Sequence, residues 1–284
     1  MAARRDIQSE ITTKIIELIE EHGTGWTKPF SDLGGSPTNA LTGKKYRGLN
    51  AFWLGLLGKT HVATFKQWQE LGAQVKKGSK GTGISVPMII KDKETDAVKG
   101  TWFKAATVFS SDQVEGWEPP AQPDQVDLTE VLANVDAFVS ATGADVRFSS
   151  TGGCFFRPSE DYIHMLPREQ FTGTDTSTAT ECFYSTELHE LVHWSGHKSR
   201  LDRLELKNRN GYAFEELVAE IGSAILCTDL GVSTEPRADH AQYIASWLQA
   251  LKGDKQFIFK AAAQAQKAVD FLHGLQGAQQ EVAA

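Results

Sequence analysis

The stretch STELHELVHWSG, residues 185–196, constrains the fold more than any other part of the chain, because its chemistry makes sense on one local structure. On a helix of 3.6 residues per turn, His189 and His193 lie one above the other on one face, close enough for two imidazoles to reach one ion. Glu190 is turned from them by about 100°, near enough to touch a water on that ion without being a ligand. This is the HExxH arrangement: two neutral nitrogens hold Zn²⁺, the ion acidifies a bound water, and the carboxylate takes its proton. The helix carries its own boundary signals. Thr178 and Glu181 fit a capping box at its start, and Gly196 can close its end. Two histidines packed in a core are the plainer alternative.

A third ligand argues against that alternative. GYAFEELVAEIGSAIL, residues 211–226, reads as a second helix with Glu216 and Glu220 four apart on one face. Phe214, Leu217, Val218, Ala219, Ile221 and Ala224 leave little of this helix for a solvated acidic face. Glu216 is assigned to the metal and Glu220 to a histidine N–H behind it, the reverse assignment being the alternative. His197 and Tyr212 are candidates to stabilise a developing oxyanion, or else helix-end residues. His164 reads as a polar strand residue, since a fourth protein ligand would leave no position for water. DYIHMLP, residues 161–167, is expected to be the strand beside the cleft on which an extended peptide adds. Zn²⁺ is the expected ion, with another divalent ion such as Mn²⁺ as the alternative.

The other half of the chain has a different character. Residues 1–110 hold 16 Lys and Arg against 10 Asp and Glu, whereas the remainder holds 13 against 26, so the two halves are not expected to share a partner. Between them, prolines and acids cluster over residues 111–127, which reads as a linker. The expected organisation is α+β throughout: a small unit over residues 1–110 and a second over residues 128–284. In the first, a helix starts near Ile7 and stops at Gly23, two short helices surround LNAFWLGLL and TFKQWQELG, and strands follow at GISVPMII and TWFKAATVF. In the second, a helix precedes three strand-like pieces, and helices follow at about 178–195, 212–230 and 238–250 before an Ala/Gln-rich segment. Cys154, Cys182 and Cys227 form no CxxC pair and read as buried thiols of a reducing compartment. The start MAARRDIQSE builds no signal-peptide core, and no apolar run reaches bilayer length, so the expected setting is the cytoplasm, away from membranes.

Within residues 38–83 there are eight basic residues and one acid, interleaved with rings and amides. Lys44, Lys45, Arg47, Lys76, Lys77 and Lys80 are candidates to track phosphates, and Trp26, Tyr46, Asn50, Trp53, Phe65 and Trp68 to stack on or bond unpaired bases. Positive groups alternating with flat rings fit single-stranded DNA better than a duplex, which is usually read by a helix in the major groove. The plain alternative is a solvated lysine face over structural tryptophans.

These runs carry resemblances. HELVH followed by a helix bearing ELVAE resembles the gluzincin branch of zincin-like metallopeptidases, with Glu220 where that family's pattern has Asp. The metzincin pattern fails at Ser199, where its third histidine should stand. GWTKPF, PTNALTGKKYRGLNAFWL and TFKQWQELGAQVKKGSKG resemble the N-terminal domain of ArdC-type antirestriction proteins of conjugative plasmids. FYSTELHELVHWSGHKSRLDR with YAFEELVAEIGSAIL resembles the zincin-like domain that accompanies it. The resemblance implies a protein that binds single-stranded DNA and helps an entering plasmid escape restriction in the recipient cell. A peptidase site tethered to DNA would be concentrated near DNA-bound proteins such as host restriction enzymes. The alternative is a non-enzymatic protein that coats DNA and uses its metal as a structural staple.

Overall fold

The computed structural model of the chain describes residues 5–22, 36–92, 95–120, 128–173, 177–204, 209–232 and 241–276; Trp26 lies outside them. Helix α1, Ile7–His22, buries Ile7, Ile11, Ile15 and Ile19 along one stripe, as their spacing requires. After it come β1 (Thr38–Asn39), α2 (Gly48–Leu56), β2 (His61–Thr64), α3 (Phe65–Glu70) and β3 (Gln74–Val75). A long hairpin, β4 (Thr82–Lys91) and β5 (Val98–Ser110), completes a four-stranded sheet of order β1-β2-β5-β4, in which β4 is an edge. An edge strand presents unpaired backbone groups, and this one is covered by α2. The Trp53 indole donates to the Gly83 carbonyl at 3.1 Å, and the Asn50 amide both donates to and accepts from the Ser85 backbone, at 2.7 and 3.1 Å. Pro87, two residues on, removes a donor from the same edge.

Three expectations about DNA contacts fail at this point. Trp53 is 2% exposed and Trp68 0%, so neither ring can stack on a base. Trp68, on α3, donates to the Phe109 carbonyl at 2.9 Å and packs edge-on against Trp117 in a small core with Ala63, Ala73 and Val114. Asn50 is likewise consumed by the sheet edge. The expected linker is also shorter than its composition indicates: β6, Val114–Glu115, pairs with β3, and Trp117 closes the same core.

The C-terminal half begins with α4 (Leu128–Ala141) and a three-stranded sheet of β7 (Asp145–Phe148), β8 (Phe155–Arg157) and β9 (Tyr162–Met165). Four helices follow: α5 (Ala179–Ser195), α6 (Arg209–Leu230), α7 (Ala241–Gly253) and α8 (Phe257–Gly274). The capping box of α5 forms as its sequence indicates, with Thr178 accepting from the Glu181 N–H and Glu181 accepting in return. The sheet order is β7-β9-β8, with β7 parallel and β8 antiparallel to β9. The strand expected to receive a peptide is therefore the central one, and its two edges are filled. The edge strand on that side is β8. Cys227 is buried, while Cys154 and Cys182 are half-buried.

The chain alternates charge between its halves but does not divide its core. Ile7, Ile11, Phe52 and Leu56 belong to the same apolar cluster as Leu188, Val218 and Ala261. Ion pairs close the junction at the surface. Lys45 lies 2.6 Å from Asp229 on α6, and Arg47 donates to Asp270 on α8 at 2.6 Å. The basic excess of one half is thus partly matched by the acid of the other. Burial alone would raise the Asp229 pKa, but His273, Lys45 and Ser36 outweigh it and hold the carboxyl down at about 2. A depressed carboxyl stabilises the fold above its unfolded pKa and loses that contribution as pH falls through the folded value. Asp229→Asn should therefore cost up to about 2 kcal/mol at neutral pH and flatten the decline in stability between about pH 4 and pH 2. Urea unfolding followed across that range checks this; a profile parallel to the wild type would count against the junction pair.

Candidate metal centre

Helices α5 and α6 pack side by side and bring three side chains to one point. His189 Nε2 and His193 Nε2 face each other at 3.1 Å, and Glu216 presents one oxygen 3.7 Å from the first and the other 3.6 Å from the second. One ligand atom from each of the three lies within 4.8 Å of the others. The far nitrogen of each ring has its own carboxylate: His189 Nδ1 is 2.9 Å from Glu220 Oε1, and His193 Nδ1 is 3.1 Å from Glu215 Oε1. A carboxylate on Nδ1 holds the proton there and leaves Nε2 as a lone pair aimed at the common point.

Glu215 and its partner Arg203 were not singled out from the sequence. Arg203 donates twice to Glu215, at 2.9 Å each, and also to Ser195 Oγ and the Val192 carbonyl, so it ties the loop after α5 to both helices. The signal for Glu215 was the Glu-Glu doublet, of which the apolar period of α6 buries both members. Nothing local marks Arg203.

These residues fit a divalent cation. Ligands about 2.0–2.1 Å from a tetrahedral ion stand about 3.3 Å from one another, close to the separations of His189, His193 and Glu216. Two lone pairs pointed at each other repel unless a cation or proton lies between them. The charge balance argues the same way: Glu190, Glu215, Glu216 and, half-buried, Glu220 crowd the site, with Arg203 as the guanidinium among them. Buried charge without a partner is expensive. The pKa values express that excess. Burial disfavours a charged His189 ring, yet Glu220, Glu216 and Glu190 push its pKa up to about 10. Burial raises the carboxyls of Glu215 and Glu216, and the surrounding histidines, with Arg203 at the first and Tyr212 at the second, hold both below the usual carboxylate range.

The remaining expected residues have definite places. Glu190 is buried, and its Oε2 accepts the Phe156 N–H of β8 at 2.8 Å, which fixes the carboxylate between the sheet edge and the histidines. Tyr212 hydrogen-bonds to Glu216 from the start of α6 while 42% exposed. His197 sits past the end of α5 with Nδ1 2.8 Å from Ser199 Oγ and 3.6 Å from Asp161. His164 has Nδ1 on the Gly153 carbonyl at 2.6 Å and stacks on Phe155, away from the ligand cluster. Of the basic run, Lys44, Lys76, Lys77 and Lys80 are exposed, as is Phe65, whereas Tyr46 is half-buried beside Asn39. Sequence reasoning did not single out the outer part of the β4–β5 hairpin, which exposes Met88, Ile89, Ile90, Val98, Trp102 and Phe103. Among the described residues no helix is long and apolar enough to cross a membrane.

Comparison with known proteins agrees with this layout. Residues 5–116 match the family model of the N-terminal domain of anti-restriction factor ArdC, and residues 133–264 match that of a zincin-like metallopeptidase. An uncharacterized protein of Sinorhizobium fredii, y4eC, is 35% identical over 293 residues, covering 95% of this chain and 92% of that protein. DNA primase TraC of Escherichia coli is 36% identical over 299 residues, and the chain spans 27% of that primase's length. Crystal structures of the antirestriction ArdC protein from the R388 plasmid, metal-free and Mn(II)-bound, are 38% identical with a TM-score of 0.75. Each covers 96% of this chain, which in turn covers 98% and 99% of theirs. With both family models in the same order, and relatives matched over nearly their whole length, the chain belongs to the family of ArdC-type antirestriction proteins.

Proposed function

We propose that this protein binds single-stranded DNA entering a cell with a plasmid, and that its zincin-like half is a divalent-metal peptidase site, with Zn²⁺ or Mn²⁺ as the ion. The observation that carries the peptidase reading is Glu190. A purely structural metal site has no use for a buried carboxylate beside the ligands, and this one is anchored at 2.8 Å to the edge strand. His189, His193 and Glu216 would be the ligands. A divalent ion bound there supplies Lewis acidity and an acidified water. Glu190 accepts the proton, with the Phe156 N–H keeping one of its oxygens oriented. Glu215 and Glu220 fix the histidine tautomers. Tyr212, partly exposed beside Glu216, is positioned to donate to charge developing on a bound carbonyl. With the Phe156 N–H taken by Glu190, edge strand β8 would offer its outward carbonyl to an extended peptide, the role the sequence assigned to β9. The DNA-bound half would keep this site near proteins engaged on the same DNA.

The DNA reading is supported by the family and by exposed chemistry: Lys44, Lys76, Lys77 and Lys80 for phosphates, and Phe65, Trp102 and Phe103 for bases, in place of the buried tryptophans. One set of variants tests both halves. Glu190→Gln should retain metal and unfold like the wild type while losing cleavage of a peptide library. Trp102→Ala should weaken binding of a labelled single strand by about 1–3 kcal/mol, with affinity falling steeply in salt for both proteins as counterions are released. Cleavage that persists in Glu190→Gln would sink the peptidase mechanism. A wild-type chain that ignores single strands at low salt would sink the DNA half. A second reading, the metal as a staple in a DNA-coating protein, is favoured if no peptide is cut and removing the metal unfolds the C-terminal half.

A further inference from the structure

The run Lys44-Lys45-Tyr46-Arg47 lines a cavity of about 360 Å³ where the N-terminal half meets α6 and α8. That volume lies within the range of small-molecule sites, roughly 300–1,000 Å³. The cavity has two kinds of wall. Pro37, Phe52, Ile225 and Val269 supply apolar lining, and Lys45 and Arg47 of the basic run pair with Asp229 and Asp270, which also line it. Gln266 accepts the Gly48 N–H at 2.7 Å and donates to Asp270 at 3.0 Å, which fixes the backbone after the run to α8. Side chains are thus held in place before any ligand arrives.

The ion pairs at the junction leave cationic capacity. Both bonds from Arg47 to Asp270 use the same nitrogen, so the rest of its donor fork is not taken by that carboxylate. Lys45 contacts Asp229 through one pair while its side chain stays 59% exposed. Lys44 is exposed and makes no ion pair among the described residues. Three permanent cations therefore face two carboxylates, and His273, whose Nε2 is 3.5 Å from Asp229, adds positive charge when protonated. One net positive charge beside an apolar pocket suits a ligand that is anionic at one end and flat and apolar at the other.

We propose that this cavity receives one nucleotide of single-stranded DNA, with its phosphate on Lys44, Lys45 and Arg47 and its base against the apolar wall beside Tyr46. The inference rests on the single-strand reading above and gives it a location. It also supplies a reason for strand preference, because a base held in a duplex must be unpaired and flipped before it can enter a pocket. The same chemistry could come from a free nucleotide, so the test has two arms.

The full chain is titrated with a labelled single-stranded oligonucleotide and, separately, with deoxynucleoside monophosphates. Thr228→Trp fills the cavity from α6, and Lys44→Glu reverses the charge at its mouth without touching the core. Each should weaken oligonucleotide binding at least about tenfold, the scale of one lost base stack, with metal content and unfolding midpoint unchanged. Should the tryptophan variant fail to fold, the exposed Lys44→Glu still decides. Wild-type binding of the oligonucleotide that neither folded variant weakens would overturn the cavity while sparing the single-strand reading. No wild-type binding at all would remove that reading and this inference together. Tight monophosphate binding, lost in the variants while oligonucleotide affinity is untouched, would overturn the proposal in favour of a free-nucleotide site.

Discussion

His193→Ala is expected to bind no divalent metal at stoichiometric level, and His189→Ala likewise. Each histidine supplies one of two lone pairs that meet at 3.1 Å, and Glu216 alone cannot hold an ion against water. The carboxylates around them should separate by role. Glu216→Ala removes a ligand atom and should nearly abolish binding, whereas Glu220→Ala and Glu215→Ala leave all three ligands and should lower affinity by about 10–100-fold. Glu215 carries a further consequence. Its loss also frees Arg203, so Glu215→Ala should be the least stable of the three when metal-free. Metal content after desalting, with competitive titration for the weaker binders, measures the series. Full metal in His193→Ala, or a larger loss from Glu220→Ala than from Glu216→Ala, would rule out the ligand set as drawn.

Trp68→Ala should destabilise the N-terminal half by about 3–5 kcal/mol. The ring is fully buried, its N–H is bonded to the Phe109 carbonyl, and it closes a core made of few residues, so little is available to fill the space it leaves. Because this cluster is separate from the main core, the loss should show first as local unfolding around α3, β3 and β6. Phe65→Ala, one turn earlier and 45% exposed, is the control and should change stability by no more than about 0.5 kcal/mol. Urea unfolding with tryptophan fluorescence, alongside hydrogen exchange, reads both. A Trp68→Ala protein that unfolds like the wild type but fails to bind single strands would reinstate the ring as a base-stacking group against its burial.

The contrast between those two residues shows where sequence reasoning stops. Phe65 and Trp68 are three positions apart on the same short helix and sit among the same lysines. Only the strand that crosses α3, whose Phe109 is 41 residues further along the chain, makes one a core residue and leaves the other exposed. Aromatic rings interleaved with basic residues therefore read as a binding face whether or not another element covers them. The ion pairs of Lys45 and Arg47 were out of reach for the same reason, since their acidic partners, Asp229 and Asp270, lie in the other half of the chain. The strand beside the metal site repeats the lesson: DYIHM reads as a strand, but whether a strand is central or at an edge depends on which neighbours pair with it.

What the sequence by itself determined was local and periodic. The helix at 179–195, its capping box, the shared face of His189 and His193, the α1 stripe and the existence of the β4–β5 strands all follow from residue spacing and backbone preference over a few turns. Tertiary structure decided everything that needs two distant segments to meet. It brought Glu216 opposite the histidines, aimed Glu215 and Glu220 at their far nitrogens, tied Glu190 to β8, joined the two charge-divided halves through one core and buried the tryptophans. The physical reason is that side-chain direction is set by the turn a residue sits in, whereas burial and partnership are set by packing between elements, which no short window of sequence encodes.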